Sequence, residues 1–507
     1  TANTLALINI DQDTTFSGSV EATAINNAAS TTATFSDNVT ATITNSGTLL
    51  FNTSADKSVT GTISEAAGGD TTEIKVIDSA DGAPATVTFT ATVAADTLTV
   101  GTTSKAGAAL FEDDVTVPAI NITGANSGDE NSTATFNKAV TATTIVLDDS
   151  GIAGKAKVIF AAANTATITG TINGSATTEG SIQITGATKT FASIIGGSNP
   201  LTLIDIDGTS IFNAAVSATN IDNDGTATFK SDVTAATAND GTLTLTPNGD
   251  NDITHSGAIS GAGTLNAVEA DDGAVNSVTF STTVAAATFN VGSTSKSGVV
   301  ILNGDTTVTN LNIFAGDVDA EDSTVTVNGD LDTTTITLDD GTNSAVTKII
   351  FADSDTVTIT GAITAATAND GTIQVTGANK TFSGTIGGTR IGTLDINETS
   401  TYTGAVTVDS LDIAANKTAT FKNNVTLNTS ATINSSATFL VTSAGTPAAI
   451  TVTGSVLGAS DGVGTVQITN TGGTTFTTTV GNTANTLALI NIDQDTTFSG
   501  SVEATAI

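Results

Sequence analysis

The amino-acid sequence predicts an all-β fold, a single-stranded β-solenoid with the form of a right-handed parallel β-helix. Three observations predict it. Residues 1–25 recur letter for letter as residues 483–507, an aromatic residue is followed four positions later by Val or Ile along most of the chain, and short segments alternate apolar residues with Thr. Repetition of this kind is typical of folds in which each unit buries its apolar edge against the next one.

The long repeat contains a shorter one. The segment 87–95, Val-Thr-Phe-Thr-Ala-Thr-Val-Ala-Ala, returns in near-identical form at 278–286, a shift of 191 residues. Half of that interval, about 96 residues, separates further matches, and five such sub-repeats reach residue 482. We therefore expect residues 1–507 to form one continuous β-solenoid of about five degenerate ~96-residue repeats. The duplicated segment and the absence of Met also suggest a window of a longer repetitive chain.

The aromatic positions set the length of one coil. Phe16 precedes Val20 and Phe35 precedes Val39, and the interval from Phe16 to Phe35 returns between Tyr402 and the next aromatic residue. Intervals of this size suit a solenoid coil built from two or three short strands. The spacing predicts coils of roughly 17–25 residues whose rings stack on one another inside the molecule.

Strands and corners follow from local chemistry. Val87, Phe89, Ala91 and Val93 alternate with Thr, which is the period of a half-buried strand. Pairs such as Ser46-Gly47, Asn173-Gly174 and Asp240-Gly241 interrupt the strands, and we expect their glycines to supply the positive φ of tight corners. No segment predicts an amphipathic helix.

Composition restricts the partners. The chain has 14 Lys and Arg against 50 Asp and Glu, a net charge of −36, which disfavours nucleic acid and anionic lipid. No apolar run approaches the ~20 residues of a membrane span, so direct membrane insertion is not expected. The chain lacks Cys, which excludes disulfides and thiolate chemistry. Self-association into a filament or bundle is the expected partnership, with a cell-surface ligand as a further possibility.

The sequence suggests Ca²⁺ as a possible cofactor. No other cofactor is expected. Pairs of carboxylates two residues apart project from one face of an extended chain, and Ca²⁺ needs six to eight oxygen ligands. The glycine-rich nonapeptide of calcium-loaded β-rolls is missing, so neighbouring coils would have to complete each shell. The candidate ligands are Asp205, Asp207, Asp222, Asp224, Asp250 and Asp252.

Catalysis is not expected. Any Ser-His-Asp arrangement would need His255, the only His, for which a polar corner before Ser-Gly is the simpler interpretation. Arg390 is the only Arg. The carboxylate pairs Asp148-Asp149 and Asp339-Asp340 could serve glycoside chemistry, but a pair that recurs with the structural period is more simply a solvated turn.

The Thr-, Asn- and Gly-rich strands with periodic aromatics resemble the repeat regions of bacterial filamentous-haemagglutinin-type exoproteins and autotransporter passengers. That resemblance covers the whole chain and implies an exported β-solenoid adhesin, with no functional residues carried over. We expect an extracellular, non-enzymatic structural repeat protein that forms a rod or filament segment of a giant cell-surface fibre. The alternative is a ligand- or calcium-dependent adhesin module.

Overall fold

The structure is a computed structural model of the chain. It describes residues 4–68, 71–79, 83–126, 131–150, 154–161, 163–247, 251–269, 276–316, 322–342, 345–353, 356–443, 445 and 448–507. Its contacts divide the chain into two compact units, unit 1 over residues 1–243 and unit 2 over residues 244–507. Each unit is described by itself, and a single solenoid over the whole chain stays a prediction.

The predicted fold class is confirmed. Parallel coils of about 22 residues stack into a β-solenoid, with about 20 turns in the two units together and no helix among the described residues. The strands of unit 1, the last of which runs two residues past its boundary, are β1 Leu5–Ile10, β2 Thr14–Phe16, β3 Val20–Asn27, β4 Thr32–Phe35, β5 Val39–Asn45, β6 Thr48–Thr53, β7 Lys57–Thr60, β8 Ile63–Glu65, β9 Glu73–Asp78, β10 Thr86–Phe89, β11 Val93–Ala94, β12 Thr97–Val100, β13 Ala108–Phe111, β14 Val115–Thr116, β15 Ala119–Thr123, β16 Ser132–Phe136, β17 Val140–Thr141, β18 Thr144–Asp148, β19 Ala156–Phe160, β20 Ala166–Ile168, β21 Thr171–Gly174, β22 Ser181–Ile184, β23 Lys189–Phe191, β24 Leu201–Ile206, β25 Thr209–Phe212, β26 Val216–Asn223, β27 Thr226–Phe229, β28 Val233–Asn239 and β29 Thr242–Leu245.

Unit 2 is likewise built from short β-strands. Its strands are β30 Ile253–His255, β31 Ile259–Ser260, β32 Thr264–Ala267, β33 Ser277–Phe280, β34 Val284–Val291, β35 Val299–Leu302, β36 Thr306–Phe314, β37 Ser323–Val327, β38 Leu331–Asp339, β39 Thr347–Phe351, β40 Thr358–Ile359, β41 Ala362–Ala365, β42 Thr372–Val375, β43 Lys380–Phe382, β44 Ile386–Ile396, β45 Ser400–Tyr402, β46 Val406–Ile413, β47 Thr418–Phe421, β48 Val425–Ile433, β49 Thr438–Val441, β50 Ile450–Gly458, β51 Thr465–Ile468, β52 Thr474–Phe476, β53 Leu487–Ile492, β54 Thr496–Phe498 and β55 Ala504–Ala506.

Within unit 1, each strand pairs in parallel with its equivalent in the next coil. One ladder runs β2-β4-β6-β9-β12-β15-β18-β21. A second runs from β7 through β10, β13, β16, β19, β22 and β24 to β26, and a third from β8 through β11, β14, β17, β20, β23 and β25 to β27. Coils from β7 to β21 therefore hold three short strands. Later coils hold two, because one longer strand replaces a pair.

The core is a set of internal side-chain ladders. Sixteen of the 19 Phe are buried, since the alternation within each strand directs every second residue inward. Phe89, Phe111, Phe136 and Phe160 face one another in register, with centroids 4.9 to 6.0 Å apart and nearly parallel planes. Such offset stacking adds to the gain from burying each ring. The predicted aromatic ladder is confirmed.

Four ring contacts in the core are nearly perpendicular. Phe51 meets Phe89 at 90° and Phe160 meets Phe191 at 81°, and neither pair is in strand register. The other two contacts, Phe280 with Phe289 and Phe351 with Phe382, are also close to perpendicular. In unit 1, these contacts lie where the number of strands per coil changes. An edge-to-face contact keeps the aromatic column filled although the two rings sit on different faces of the core.

The glycines at the corners do not have the backbone conformation that the sequence predicted. None of Gly47, Gly174 and Gly241 has a positive φ. A Cβ on Gly241 would lie 2.0 Å from the carbonyl oxygen of Gly225, and one on Gly47 would lie 2.4 Å from that of Thr31. The prediction of positive φ was wrong at these positions. Glycine is required because backbone passes too close for any side chain, from the previous coil at Gly47 and Gly241 and from the residues that follow at Gly174.

Candidate functional site

Four of the predicted calcium ligands come together on unit 1. Asp205 in β24 faces Asp222 in β26 across one parallel strand pair, and Asp207 and Asp224 follow at the stacked corners. Burial raises the pKa of Asp205, the neighbouring carboxylate of Asp207 raises it further, and Lys157 opposes both effects. The outward face of these coils is therefore a row of mutually repelling carboxylates.

The remaining two candidates lie apart from that row. Asp252 belongs to unit 2, where its Oδ1 accepts hydrogen bonds from the amide of Ser277 at 2.7 Å and from its hydroxyl at 3.0 Å. Asp250 falls outside the described residues. The described part of the chain holds no group of three or more His, Cys, Asp or Glu arranged to hold a metal ion. Calcium binding stays a prediction.

The structure places His255 inside the core rather than at a corner. The imidazole lies in β30, is 1% exposed, and sits over Phe280 with centroids 6.2 Å apart. Its Nδ1 is 3.0 Å from the carbonyl oxygen of Gly257. Burial lowers the pKa of His255 to about 4, and the bond to Gly257 only partly offsets this. The histidine occupies a place in the aromatic ladder.

The two Asp-Asp pairs tie coils together. Asp149, 3% exposed, accepts hydrogen bonds at Oδ1 from the amides of Ala156 and Gly180, at 2.9 and 3.1 Å. Its Oδ2 lies 3.1 Å from the ammonium of Lys155. The expected solvated turn was thus wrong for Asp149, since backbone amides of later residues occupy the carboxylate.

The second pair repeats this arrangement in the equivalent coil of unit 2. Asp340 accepts hydrogen bonds at Oδ1 from the amide of Thr347 at 2.6 Å and at Oδ2 from that of Gly371 at 2.9 Å. The first residue of each pair forms a local turn, in which Asp148 accepts from the amide of Ser150 and Asp339 from that of Gly341. The recurrence is therefore structural. These oxygens are engaged by backbone donors.

Arg390 lies on the surface of unit 2. Its Nε donates to Oδ1 of Asn369 at 2.8 Å and is 3.8 Å from Oδ1 of Asp409. An exposed pair of this kind contributes little to stability. Arg390 and His255 lie on different coils, and no contact joins them in the described structure.

Two buried lysines were not anticipated from the sequence. Lys189 and Lys380 begin the equivalent strands β23 and β43 and are 1% and 2% exposed. Burial lowers the pKa of Lys189, and its ammonium donates to the carbonyl oxygen of Asn164 at 3.1 Å. Lys380 lies 3.5 Å from Oδ2 of Asp353. The signal in the sequence is the shared Lys-Thr-Phe of both strands.

The chain was compared with known families, proteins and structures. No family model, curated protein or solved structure matches the chain. Among the described residues, no helix has the length and apolar character to cross a membrane.

Proposed function

We propose that this chain is a structural segment of an extracellular bacterial fibre, related to the repeat regions of filamentous-haemagglutinin-type exoproteins and autotransporter adhesins. The observation that carries the proposal is the behaviour of the duplicated segment. Leu5 pairs with Ala22 in the first copy, and Leu487 pairs with Ala504 in the second. The duplicated segment thus builds the same coil in both units, so the long repeat is a structural repeat.

Stacking supports a mechanical role. Each coil contacts its neighbours through register-matched strands and rings, so stability accumulates along the stack instead of depending on one core. The candidate catalytic groups also favour this role, because His255 is enclosed in the core and Asp149 and Asp340 bond backbone amides. The net charge of −36 keeps such a stack soluble and repels nucleic acid.

Self-association is proposed to use the exposed apolar residues of the duplicated segment. Leu7 and Leu489 hold the same position in the two copies and are 49% and 39% exposed. Negative-stain electron microscopy and sedimentation should show assemblies of the purified chain at neutral pH. The double variant Leu7→Lys, Leu489→Lys should remain monomeric, because charge would have to be desolvated at the contact. The control is Ile194→Lys, at a residue 44% exposed outside the segment, which should still assemble.

Two results would refute the proposal. One is a chain that stays monomeric at every concentration tested. The other concerns location, since antibodies against the chain should label intact cells that produce it. Labelling confined to permeabilised cells would place the protein inside the cell.

The alternative, a calcium-dependent binding module, is favoured by one observation: the repulsion of three neighbouring carboxylates adds to the burial that raises the pKa of Asp205, and the charge of Lys157 opposes it. A cation would relieve that repulsion. Isothermal titration with Ca²⁺ should then release heat in the native chain, and Asp205→Asn, Asp222→Asn should remove it. No heat, with a melting temperature unchanged by EDTA, would exclude this alternative.

A further inference from the structure

A groove runs along the outer face of unit 2. Two adjoining cavities of about 520 and 230 Å³ form it, and both are lined by Thr294 and Phe314. The first also contains outward side chains of successive coils, Thr244, Asn266 and Asn290, and the second ends at Asp339. The groove therefore spans about five coils, or roughly 20 Å at ~4.8 Å per coil.

The floor of the groove is a ladder of hydrogen-bonded amides. Asn266 donates through Nδ2 to Oγ1 of Thr244 at 3.2 Å, Asn290 donates to Oδ1 of Asn266 at 3.0 Å, and Asn312 donates to Oδ1 of Asn290 at 2.9 Å. Each carboxamide has two N–H donors and two acceptor lone pairs. The bonds within the ladder fix the orientation of every amide and leave further donor and acceptor capacity on each.

Phe314 is the unusual residue of the site. Sixteen of the 19 Phe are buried. Two of the other three, Phe16 and Phe498, hold the same position in the duplicated segment, and each stacks on a neighbouring ring. Phe314 instead lies half-buried at the outer end of β36, beside the short turn in which Ser293 pairs with Lys296. Its ring is presented to the groove that it lines.

The lining selects a class of ligand. Among the described lining residues there is no cationic side chain and one carboxylate, Asp339, so the groove offers no charge partner for an anion. The central strand β34 already pairs with strands on both sides, so an added peptide strand would find no free backbone edge there. The groove offers hydroxyls, carboxamides and one aromatic face. These match a ligand that carries many hydroxyl groups and an apolar ring face.

We propose that this groove binds an uncharged oligosaccharide. The ring face of one sugar packs on Phe314, while hydroxyl groups of adjacent sugars bond the oriented amides of Asn266 and Asn290. Adjacent coils are ~4.8 Å apart, close to the length of one sugar unit, so successive sugars lie over successive coils. This binding is independent of fibre formation and is measurable on a monomer.

Unit 1 supplies a natural control. At a shift of 191 residues, Thr123 stands in place of Phe314, Thr99 in place of Asn290 and Lys75 in place of Asn266, while the turn that pairs Thr102 with Lys105 is retained. Unit 1 thus has the turn without the aromatic residue and without two of the three amides, since Asn121 stands at the position of Asn312. Phe314→Thr introduces the residue that the fold already carries at position 123, so we expect it to fold.

The experiment uses the full chain and defined hexasaccharides. Cellohexaose, maltohexaose, laminarihexaose, mannohexaose and chitohexaose are tested by saturation-transfer NMR and calorimetry. At least one should bind, and Phe314→Thr should weaken that binding roughly tenfold, the size expected for one lost aromatic contact. Asn290→Ala should weaken it too, whereas Thr123→Ala in unit 1 should leave it unchanged.

Three outcomes would overturn the proposal. The first is that none of the five hexasaccharides binds at millimolar concentration. The second is that Phe314→Thr leaves the affinity unchanged in a chain with native circular dichroism. The third is that Thr123→Ala weakens binding as much as Phe314→Thr does. The last result would place the sugar outside the groove.

Discussion

The single histidine should stay neutral far into the acid range and make unit 2 sensitive to acid. His255 is buried over Phe280, and burial lowers the pKa of its imidazole from 6.5 to about 4. Well above pH 6.5 the ring is neutral in both the folded and the unfolded chain, so its protonation does not change the stability there. As the pH falls from 6.5 to 4, the imidazole binds a proton in the unfolded chain but not in the folded chain, so the folded chain loses stability.

The size of the loss follows from the shift. Each pKa unit corresponds to about 1.4 kcal/mol, so a shift from 6.5 to about 4 removes roughly 3 kcal/mol of stability by pH 4. The substitution His255→Phe restores the aromatic residue of the ladder and carries no proton. The difference in free energy of unfolding between variant and native chain should therefore grow by roughly 3 kcal/mol between pH 7 and pH 4. The many carboxylates are common to both chains and cancel in that difference.

Two measurements test this prediction. Urea denaturation of the native chain and of His255→Phe at a series of pH values gives the growing difference. Because the chain has one His, its imidazole proton resonance can be followed directly by NMR. A resonance that titrates near pH 6.5, or a difference that stays constant with pH, would mean that the ring is exposed, and the assignment of His255 to the ladder would be wrong.

Three further predictions concern unit 1. Phe212→Ala should lower the stability of its own coils by roughly 3–5 kcal/mol. Distant coils should stay protected in hydrogen exchange, because each coil couples only to its neighbours. Collapse of the whole chain would contradict this. Gly225→Ala should lower the melting temperature, because its Cβ would lie 2.0 Å from a backbone oxygen, whereas Gly18→Ala, with open space around it, should not. Asp222→Asn should lower the pKa of Asp205 and raise stability at neutral pH, because it removes a repelling neighbour. The contribution of Asp205 to stability should rise as the pH falls through its raised pKa. A melting temperature that Asp222→Asn leaves unchanged at pH 7 would count against the repulsion.

The fold could be predicted because one signal was repeated many times. The aromatic followed by Val or Ile marks the end of one strand and the start of the next, as in Phe35 and Val39, both of which are buried. Alternation with Thr fixed which residues face inward. A repeated pattern of this kind outweighs the irregular coil lengths, because parallel pairing requires only that equivalent strands meet.

The position of His255 could have been predicted from the same signal. Thr254-His255-Ser-Gly has the form of Thr15-Phe16-Ser-Gly and Thr381-Phe382-Ser-Gly, and Ile259 follows four residues later. Because His is polar, the predicted place for it is a corner, although it occupies the aromatic position of the repeated pattern. Ladder position, rather than residue type, decides burial in this fold.

Other features of the sites depend on which coils are neighbours. Asp149 bonds the amide of Gly180, 31 residues away, and Asn290 bonds Asn266 across one coil. Coil length varies, so the sequence alone does not fix which outward residues lie side by side. The clash that requires glycine at Gly241 likewise comes from the preceding coil.

The perpendicular ring contacts have a consequence for how such a chain diverges. At Phe51 with Phe89, and at Phe160 with Phe191, the aromatic column continues although the rings belong to different strands. A deletion or insertion of a whole strand at these points leaves no void, because the next ring can approach edge-on from another wall. The other ring contacts of unit 1 overlap face to face and tolerate no such change. Length variation among descendants of this repeat should therefore concentrate at the right-angled junctions, and genetic removal of a complete turn should be tolerated there first.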